Sequence, residues 1–353
     1  MAILEDGMKK RLFVMMNIAV LIMFCASRKE NVIDVKLEKV STIGKNDGSE
    51  NEIFAKIQDF CFDNAGNIYV LDSEFLNIKV YDKNNNLVNV IGGNYGQGPG
   101  EFLQPRSIDV DSLLNIYVVD YRKNDITVFN RFGKILTVKK VRPKTSLIKV
   151  GKPFEVYGLA HPLLFKGNLI DYYNLKINKG IPRVASFCER QHGKDSLNIV
   201  NSGYFGDIDI NKNNEIFYAF PYPYEIRRFL SDGKLTESYK RRIPYFKPPD
   251  KKSGVLDIST GVEQIVTFSN EISDNLLLCK YYRRKYGRVK NCTKYYFDFW
   301  DMKKGELLCT YTDKQLNLVD ADWVKIDSKG YLYASYSEEY PHVDKFKLTI
   351  NKK

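Results

Sequence analysis

The sequence predicts an all-β fold, a six-bladed β-propeller with four antiparallel strands in each blade, from three observations. A ten-residue strand motif recurs, and weaker copies of it follow at regular spacing. In addition, a strand near the start of the chain precedes the first blade, and the last blade lacks one strand. The composition agrees, because 24 Tyr and 21 Phe residues, with many β-branched residues, suit pleated and half-buried surfaces.

The strand motif is clearest in two segments. Asp63–Asp72 reads DNAGNIYVLD and Asp111–Asp120 reads DSLLNIYVVD, and alternating apolar and polar residues follow each copy. Alternation with Asn- and Gly-rich turns indicates β-hairpins. The average spacing of the motif is about 53 residues, which is typical of propeller blades. Four weaker copies are GNLIDYY around Asn168, NNEIFYAF around Glu215, DNLLLCKY around Asn275 and KGYLYASY around Tyr331.

The two ends of the chain predict how the ring closes. His342–Ile350 follows the last motif, and the sixth blade then lacks a fourth strand, whereas Val32–Gly44 is a strand that precedes the first blade. Pairing the two segments would complete the blade and remove an open sheet edge, which is otherwise prone to aggregation. We therefore assign residues 32–353 to one propeller domain.

The N-terminal segment is typical of an export signal. Three basic residues, Lys9–Arg11, precede an apolar run from Leu12 to Phe24, shorter than the roughly 20 residues that span a membrane. Cys25 follows in a segment that resembles the lipobox of bacterial lipoproteins, although Phe24 replaces the usual small residue. An uncleaved anchor or an ordinary signal peptide is the alternative. We predict a signal peptide over 1–24 (starting at Met1 or Met8), lipid attachment at Cys25 and a tether over 25–31.

Two segments carry a resemblance to a known family. GNIYVLD (Gly66–Asp72) and GGNYGQGPGEFLQPRSIDVD (Gly92–Asp111) resemble NHL repeats, and the chain is similar to six-bladed β-propeller lipoproteins of the Bacteroidota. The resemblance is specific over Ile57–Val141 and continues as spacing alone to Ile350. It implies a protein of the bacterial cell envelope, in the periplasm, in the outer membrane or on the surface. NHL-type propellers include protein-binding, RNA-binding and enzymatic members, so the resemblance does not select a function.

The loops after the second strand of each blade share one face of a propeller, and this face is the predicted ligand surface. Tyr rings recur there beside Arg side chains, and Tyr combines an apolar face with a polar tip. The alternative is that the rings pack between blades. Asp120, like Asp72, would either contact a ligand or close a turn through backbone amides. The predicted ligand-binding residues are Arg106, Asp120, Tyr121, Arg122, Tyr172, Tyr222, Tyr282 and Arg283.

The net charge of +11 favours an anionic partner, or else serves solubility alone. The segment Lys280–Lys294 contains seven basic and no acidic residues. In an exported protein this favours an anionic glycan, a lipopolysaccharide or an acidic protein patch over nucleic acid, with a solvated hairpin as the alternative. If the hairpin turns near Lys285-Tyr286, Cys279 faces Cys292, which predicts a cross-strand disulfide.

Two functions are consistent with these features. The first is a binding or scaffold module for a protein or an anionic glycan, and the second is a metal-dependent lyase or hydrolase in the central channel. His161, His192 and His342 lack the spacing of metal ligands, and no nucleophile motif is present. We therefore favour the non-catalytic function and expect no cofactor, no nucleic-acid partner and a monomer. The predicted channel-lining residues are Gln58, Arg106, Glu155, Asp207, Glu263 and Asp322.

Overall fold

A computed structural model describes residues 33–160, 167–178, 180–189, 206–246, 250–252, 255–257, 260–285 and 292–353. These residues form six four-stranded sheets and one two-stranded sheet, and neighbouring strands are antiparallel. The predicted signal peptide, the lipid attachment at Cys25 and the tether lie outside the described residues, as do His161 and His192. No helix in the described part of the chain is both long and apolar enough to cross a membrane.

The first five blades follow the chain from the inner strand to the outer strand. The described part of the chain begins with β1 (Ile33–Ile43), which belongs to the last blade. Blade 1 contains β2 (Ile57–Phe62), β3 (Ile68–Asp72), β4 (Asn77–Tyr81) and β5 (Leu87–Gly92). Blade 2 contains β6 (Pro105–Val110), β7 (Ile116–Asp120), β8 (Asp125–Phe129) and β9 (Ile135–Lys140). Blade 3 contains β10 (Thr145–Val150), β11 (Glu155–Ala160), β12 (Ile170–Asn174) and β13 (Arg183–Phe187).

The second half of the ring has the same organisation. A short hairpin, β18 (Asp250–Lys252) and β19 (Val255–Asp257), separates blades 4 and 5, and the short helix α1 (Asp313–Leu316) precedes blade 6. Blade 4 contains β14 (Asp207–Ile210), β15 (Ile216–Ala219), β16 (Glu225–Phe229) and β17 (Leu235–Lys240). Blade 5 contains β20 (Thr260–Phe268), β21 (Leu276–Lys285), β22 (Cys292–Asp301) and β23 (Glu306–Thr312). Blade 6 contains β24 (Val324–Ile326), β25 (Tyr331–Tyr336) and β26 (His342–Lys352), and β1 is its fourth strand.

The N-terminal strand lies in the last blade. β1 pairs antiparallel with β26, from Ile33 opposite Lys352 to Ile43 opposite Val343. Because β1 is the outermost strand of blade 6, the first and last described strands lie in the same sheet. Each blade thus has four strands, as the sequence predicts.

The repeated motif forms the turn between the first and second strands of a blade. Asp111 Oδ1 accepts hydrogen bonds from the backbone N–H groups of Leu113 (2.8 Å) and Asn115 (2.9 Å). Its Oδ2 accepts from the side-chain amide of Asn115 (2.8 Å) and from the hydroxyl of Tyr117 (2.6 Å). Asp63 makes the corresponding bonds in blade 1. The motif recurs because its Asp satisfies the turn and the buried Tyr hydroxyl together.

Apolar side chains pack between neighbouring blades instead of in one central core. The described residues form six buried clusters, one at each contact between neighbours around the ring. Between blades 2 and 3, for example, Ile126 and Val128 contact Ile148 and Val156. The core therefore grows by repetition, which lets a chain of this length fold as one unit.

Blade 3 differs from the sequence prediction. The motif copy around Asn168 leads into β12, the third strand of the blade, and the second strand is β11. β11 reads EVYGLA and lacks the motif. The connection between the second and third strands covers residues 161–169 in blade 3 and only 73–76 in blade 1. The motif copy of blade 3 therefore lies about one blade length after the copy of blade 2, although it falls on the third strand and not on the second.

Candidate functional site

A cavity of about 530 Å³ lies on the axis of the ring, between the inner strands. Its lining runs from the N-terminal ends of these strands to turn residues at their C-terminal ends, such as Asn64 and Ser328. We call the N-terminal end of the cavity the mouth; it lies on the face that carries the loops after the second strands. The volume falls within the roughly 300–1,000 Å³ typical of ligand sites. Every blade contributes to the lining at the mouth, through Gln58, Arg106, Ser146, Gly206, Glu263 and Trp323.

Four of these lining residues occupy β-bulges. In blade 2, Pro105 pairs with Asp120 and Ser107 pairs with Val119, so that Arg106 is an extra residue in the ladder. A bulge turns its extra side chain away from the regular alternation, and bulges are common beside functional sites. We call the four extra residues the bulge ring; they are Gln58, Arg106, Ser146 and Glu263.

Deeper in the cavity, polar side chains link each inner strand to the next blade. We call this set the axial belt. Its acceptors bind backbone N–H groups at the channel edge of the neighbouring strand, which would otherwise be unsatisfied. The bonds run from Ile108 N to Asp59 (3.0 Å), Val150 N to Asp109 (2.6 Å), Ile265 N to Asp207 (2.8 Å), Thr267 N to Asp209 (2.6 Å) and Val324 N to Gln264 (2.9 Å).

Two lysines complete the axial belt. Lys149 Nζ lies 2.8 Å from Asp209 and joins blade 3 to blade 4, and Lys325 Nζ lies 2.5 Å from Asp59 and joins blade 6 to blade 1. Burial alone would lower the pKa of Lys149, but Asp209 and two further carboxylates outweigh it and raise the pKa. The carboxylates of the belt therefore have structural partners. Within the described residues, no three His, Cys, Asp or Glu side chains are arranged to hold a metal ion.

Arg106 differs from the cations of the belt because one donor of its guanidinium is unsatisfied. Its Nε is buried without a hydrogen-bond partner among the described residues. The guanidinium carbon lies 5.4 Å from the centre of the Tyr121 ring, and Lys144 Nζ lies 4.4 Å from the same centre. Two cations thus flank one aromatic ring at the mouth, an arrangement that favours an anionic group.

The structure corrects the assignment of Asp120 as a ligand-binding residue. Its side chain is 1% exposed, and Oδ2 accepts from the N–H groups of Leu103 (2.7 Å) and Gln104 (2.9 Å). Oδ1 accepts from the N–H groups of Arg122 (2.9 Å) and Lys123 (2.8 Å). All four donors are backbone groups, so this carboxylate ties the segment before Arg106 to the turn after Tyr121. Asp120 is a positioning residue.

A family model described as a 6-bladed beta-propeller, DUF5128, matches residues 47–243. This match covers more than half of the chain and includes blades 1 to 4. The chain belongs to the DUF5128 family. No curated protein sequence matches it significantly.

Solved structures share the fold of this DUF5128 propeller. A protein of Bacteroides fragilis described as exported aligns with a TM-score of 0.59 and 14% identity over 93% of this chain and 97% of its own. A DUF4221 member from Bacteroides vulgatus gives 0.64 and 14% over 92% and 100%. Virginiamycin B lyase from Staphylococcus aureus gives 0.51 and 12% over 90% and 100%. At such identities the likeness shows the fold alone.

Two of the predicted ligand-binding tyrosines pack inside blades of the DUF5128 propeller. Tyr172 lies within β12 and stacks on Tyr157, with ring centroids 5.1 Å apart. Tyr282 is 1% exposed and lies within β21, which continues to Lys285. Their assignment to the mouth is therefore wrong: Tyr172 belongs to the third strand of blade 3, and β21 extends further than the motif indicates.

The remaining predicted residues lie on or near the mouth face but not in the cavity lining. Tyr222 follows β15 and stacks on Phe246, with centroids 5.7 Å apart. The guanidinium of Arg283 lies 4.6 Å from the centre of the Tyr245 ring, and Arg122 is exposed. Of the eight predicted residues, the structure brings together Arg106 and Tyr121 at the cavity.

The predicted channel residues are partly confirmed. Gln58, Arg106, Asp207 and Glu263 line the cavity, whereas Glu155 begins a second strand and Asp322 is exposed before β24. Sequence reasoning missed several lining residues because it did not identify the third inner strand or the bulges. The charged and aromatic residues missed include Asp59, Asp109, Lys149, Asp209, Trp323 and Lys325.

Strand register contradicts the predicted disulfide. Cys279 lies opposite Asp298, and Cys292 lies opposite Lys285. The two cysteines are therefore offset along the hairpin by roughly 20 Å at ~3.3 Å per residue, far beyond the Cα distance of about 4.4–6.8 Å that a disulfide needs. β21 continues to Lys285 and pairs there with Cys292, so the chain does not yet turn at Lys285. Cys279 is a buried free thiol.

The buried carboxyl of Asp207 makes stability depend on pH. Burial raises its pKa to about 7, aided by Asp209 and opposed by Lys149, the Ile265 amide and Lys325. At pH values above 3.8, the ordinary pKa of an aspartate, the unfolded chain loses the carboxyl proton of Asp207. The folded chain keeps this proton up to about pH 7. The stability this proton contributes is complete below about pH 4 and is lost as the pH rises through about 7.

We expect Asp207→Asn to remove this dependence. The Asn amide oxygen can still accept from the N–H of Ile265, whereas the cost of a buried ionised carboxylate disappears. The variant should gain a few kcal/mol in free energy of unfolding relative to the wild-type chain between about pH 4 and about pH 8. Urea unfolding of both proteins at the two pH values measures the gain. A difference between the proteins that is the same at both values would contradict the assignment.

Proposed function

We propose that this DUF5128 protein is a non-catalytic binding module of the bacterial envelope, with its ligand site at the mouth of the channel. The observation that carries the proposal is the bulge ring, in which four polar side chains from four blades converge at one cavity. Regular strands would not place these side chains together. Their chemistry is also mixed (amide, guanidinium, hydroxyl and carboxylate), which suits recognition of several groups on one ligand.

The axial belt supports the same function because it holds the inner strands in place. The links join a side chain of one blade to the backbone or to a side chain of the next, so the inner strands that carry the bulge ring are cross-linked. A preorganised site loses little conformational freedom when a ligand binds, and that cost otherwise weakens affinity.

Site-specific photo-crosslinking tests the location of the site. A photoreactive residue replaces Ser146 at the mouth, and a control carries it at Leu113, which is 65% exposed in the turn at the opposite end of the inner strands. Irradiation of native envelopes should give a discrete adduct from position 146 and none from position 113. Adducts from position 113 alone would move the binding surface to the opposite face and overturn the proposal.

The second function considered is a metal-dependent lyase or hydrolase in the channel. Virginiamycin B lyase shares the fold, but the channel carboxylates of this chain are engaged by backbone amides or by lysines. The binding function is therefore better supported. Metal analysis of protein purified without chelators discriminates between the two, because one Ca²⁺ or Zn²⁺ per chain would favour the enzyme.

The lipid anchor at Cys25 belongs to the same proposal. A basic start, an apolar run and a Cys directly after it support export and lipidation. We expect Cys25→Ser to abolish labelling by radioactive fatty acid and to release the protein from membranes, since no other site for a lipid is predicted. Labelling that persists in the variant would contradict the anchor. The protein is then expected to act as a monomer held at the envelope.

A further inference from the structure

The inner strands offer little to an extended peptide. Peptides commonly bind by adding a strand to an open sheet edge, through main-chain hydrogen bonds. Here the channel-facing edges of four inner strands are occupied, because N–H groups of these strands already donate to Ser107 or to side chains of the axial belt. The amides concerned belong to Ile108, Ile148, Val150, Ile265, Thr267 and Val324. Recognition at the mouth therefore depends on side chains.

The charge at the mouth favours a single carboxylate. A guanidinium presents paired donors that match a carboxylate in two parallel hydrogen bonds, and Nε of Arg106 has no hydrogen-bond partner among the described residues. Lys144 places a second cation beside the same Tyr121 ring. The carboxylates of Asp59, Asp209 and Glu263 line the same cavity, so a doubly charged phosphate would meet more repulsion than a singly charged carboxylate.

The rest of the bulge ring matches hydroxyl groups. Ser146 and Gln58 can both donate and accept, and the carboxylate of Glu263, which pairs with Lys280 at 2.7 Å, accepts. The hydroxyls of a sugar also donate and accept. Trp323, half-buried at the mouth, adds an aromatic face of the kind that stacks on the apolar face of a sugar ring.

We propose that the mouth binds an acidic glycan through a uronate sugar, with its carboxylate on Arg106 and its hydroxyls on Gln58 and Ser146. This inference rests on the proposed function and names the ligand class for the same site. A uronate combines a single carboxylate, neighbouring hydroxyls and an apolar ring face in one unit. Each of these groups has a counterpart among the side chains of the mouth.

Calorimetry on the full chain in mild detergent tests the ligand class. The probes are the trisaccharides of galacturonate, glucuronate and mannuronate, each beside its carboxyl-reduced neutral form, and a triglutamate peptide. At least one uronate should bind in the millimolar range or better, and its neutral form should bind at least about tenfold more weakly, equivalent to about 1.4 kcal/mol. If no uronate binds, the inference is wrong.

Variants then test the assigned contacts. Arg106→Ala should weaken uronate binding about thirtyfold, as expected for an anchor residue, and Arg106→Lys should be intermediate because a lysine cannot make the paired bonds. Arg131→Ala, at an exposed arginine in the turn between β8 and β9, is the matched control and should not change affinity. Uronate binding that survives Arg106→Ala overturns the inference. Binding of triglutamate alone, lost in Arg106→Ala, would overturn the glycan class and still support the mouth as the site.

Discussion

Replacing Asp120 with Ala is expected to lower the free energy of unfolding by about 3–4 kcal/mol, because one buried carboxylate satisfies four backbone amides. Two of these amides, in Leu103 and Gln104, precede the inner strand of blade 2, and the other two, in Arg122 and Lys123, follow its second strand. Without the carboxylate, both segments lose their common acceptor. Urea unfolding measures the change.

The chain contains a second position at which the same effect is expected, Asp72, and a control position, Asp232. Asp72 accepts from four backbone amides in the same way in blade 1, so Asp72→Ala should cost a similar free energy. Asp232 is exposed and accepts from the single backbone amide of Lys234, so Asp232→Ala should change stability by less than about 1 kcal/mol. Equal effects at Asp120 and Asp232 would show that the network does not hold the blade together.

Placing a carboxylate at Val35 in β1 is expected to cost about 4 kcal/mol, because this position is buried in the core between blades 5 and 6. Val35 is 5% exposed and packs among apolar residues of both blades. Its backbone N–H also donates to the hydroxyl of Tyr311 in blade 5 (3.1 Å). Val35→Asp therefore tests whether the N-terminal strand closes the ring.

Val40 supplies the matched control in the same strand. Its side chain is 55% exposed, so Val40→Asp introduces the same charge with an expected change within about 0.5 kcal/mol. Thermal unfolding of the two variants beside the wild-type chain measures the contrast. If both variants unfold with the wild-type midpoint, β1 is not part of the packed sixth blade.

The net charge of the chain is a poor guide to the charge available at its surface. Lys79 and Lys280 are 0% and 2% exposed. Lys79 Nζ donates to the carbonyl oxygens of Glu50 (2.6 Å) and Ile53, and Lys280 Nζ donates to that of Ala321 (2.8 Å). These lysines, with the two of the axial belt, hold connections between blades. Part of the basic excess is therefore internal, and the inference about an anionic ligand depends on Arg106 and Lys144 instead.

The sequence by itself determined the blade and the number of blades. The reason is that the interactions that define a blade are local: Asp111 bonds to groups no further away than Tyr117. Such interactions leave a motif in consecutive residues, and the spacing of its copies then indicates six blades. Even the misplaced copy in blade 3 left the count intact, since a hairpin shift within a blade does not change the number of blades.

Only the tertiary structure decided which side chains reach the mouth. Asp59 meets the N–H of Ile108 from another blade, and no pattern in consecutive residues records such a partner. Strand register matters equally, because a shift of one residue turns every side chain to the other face. A bulge makes this shift locally at Arg106, and the register of the long hairpin in blade 5 separates Cys279 from Cys292. Packing between blades fixes both, so the site depends on contacts that the repeat does not encode.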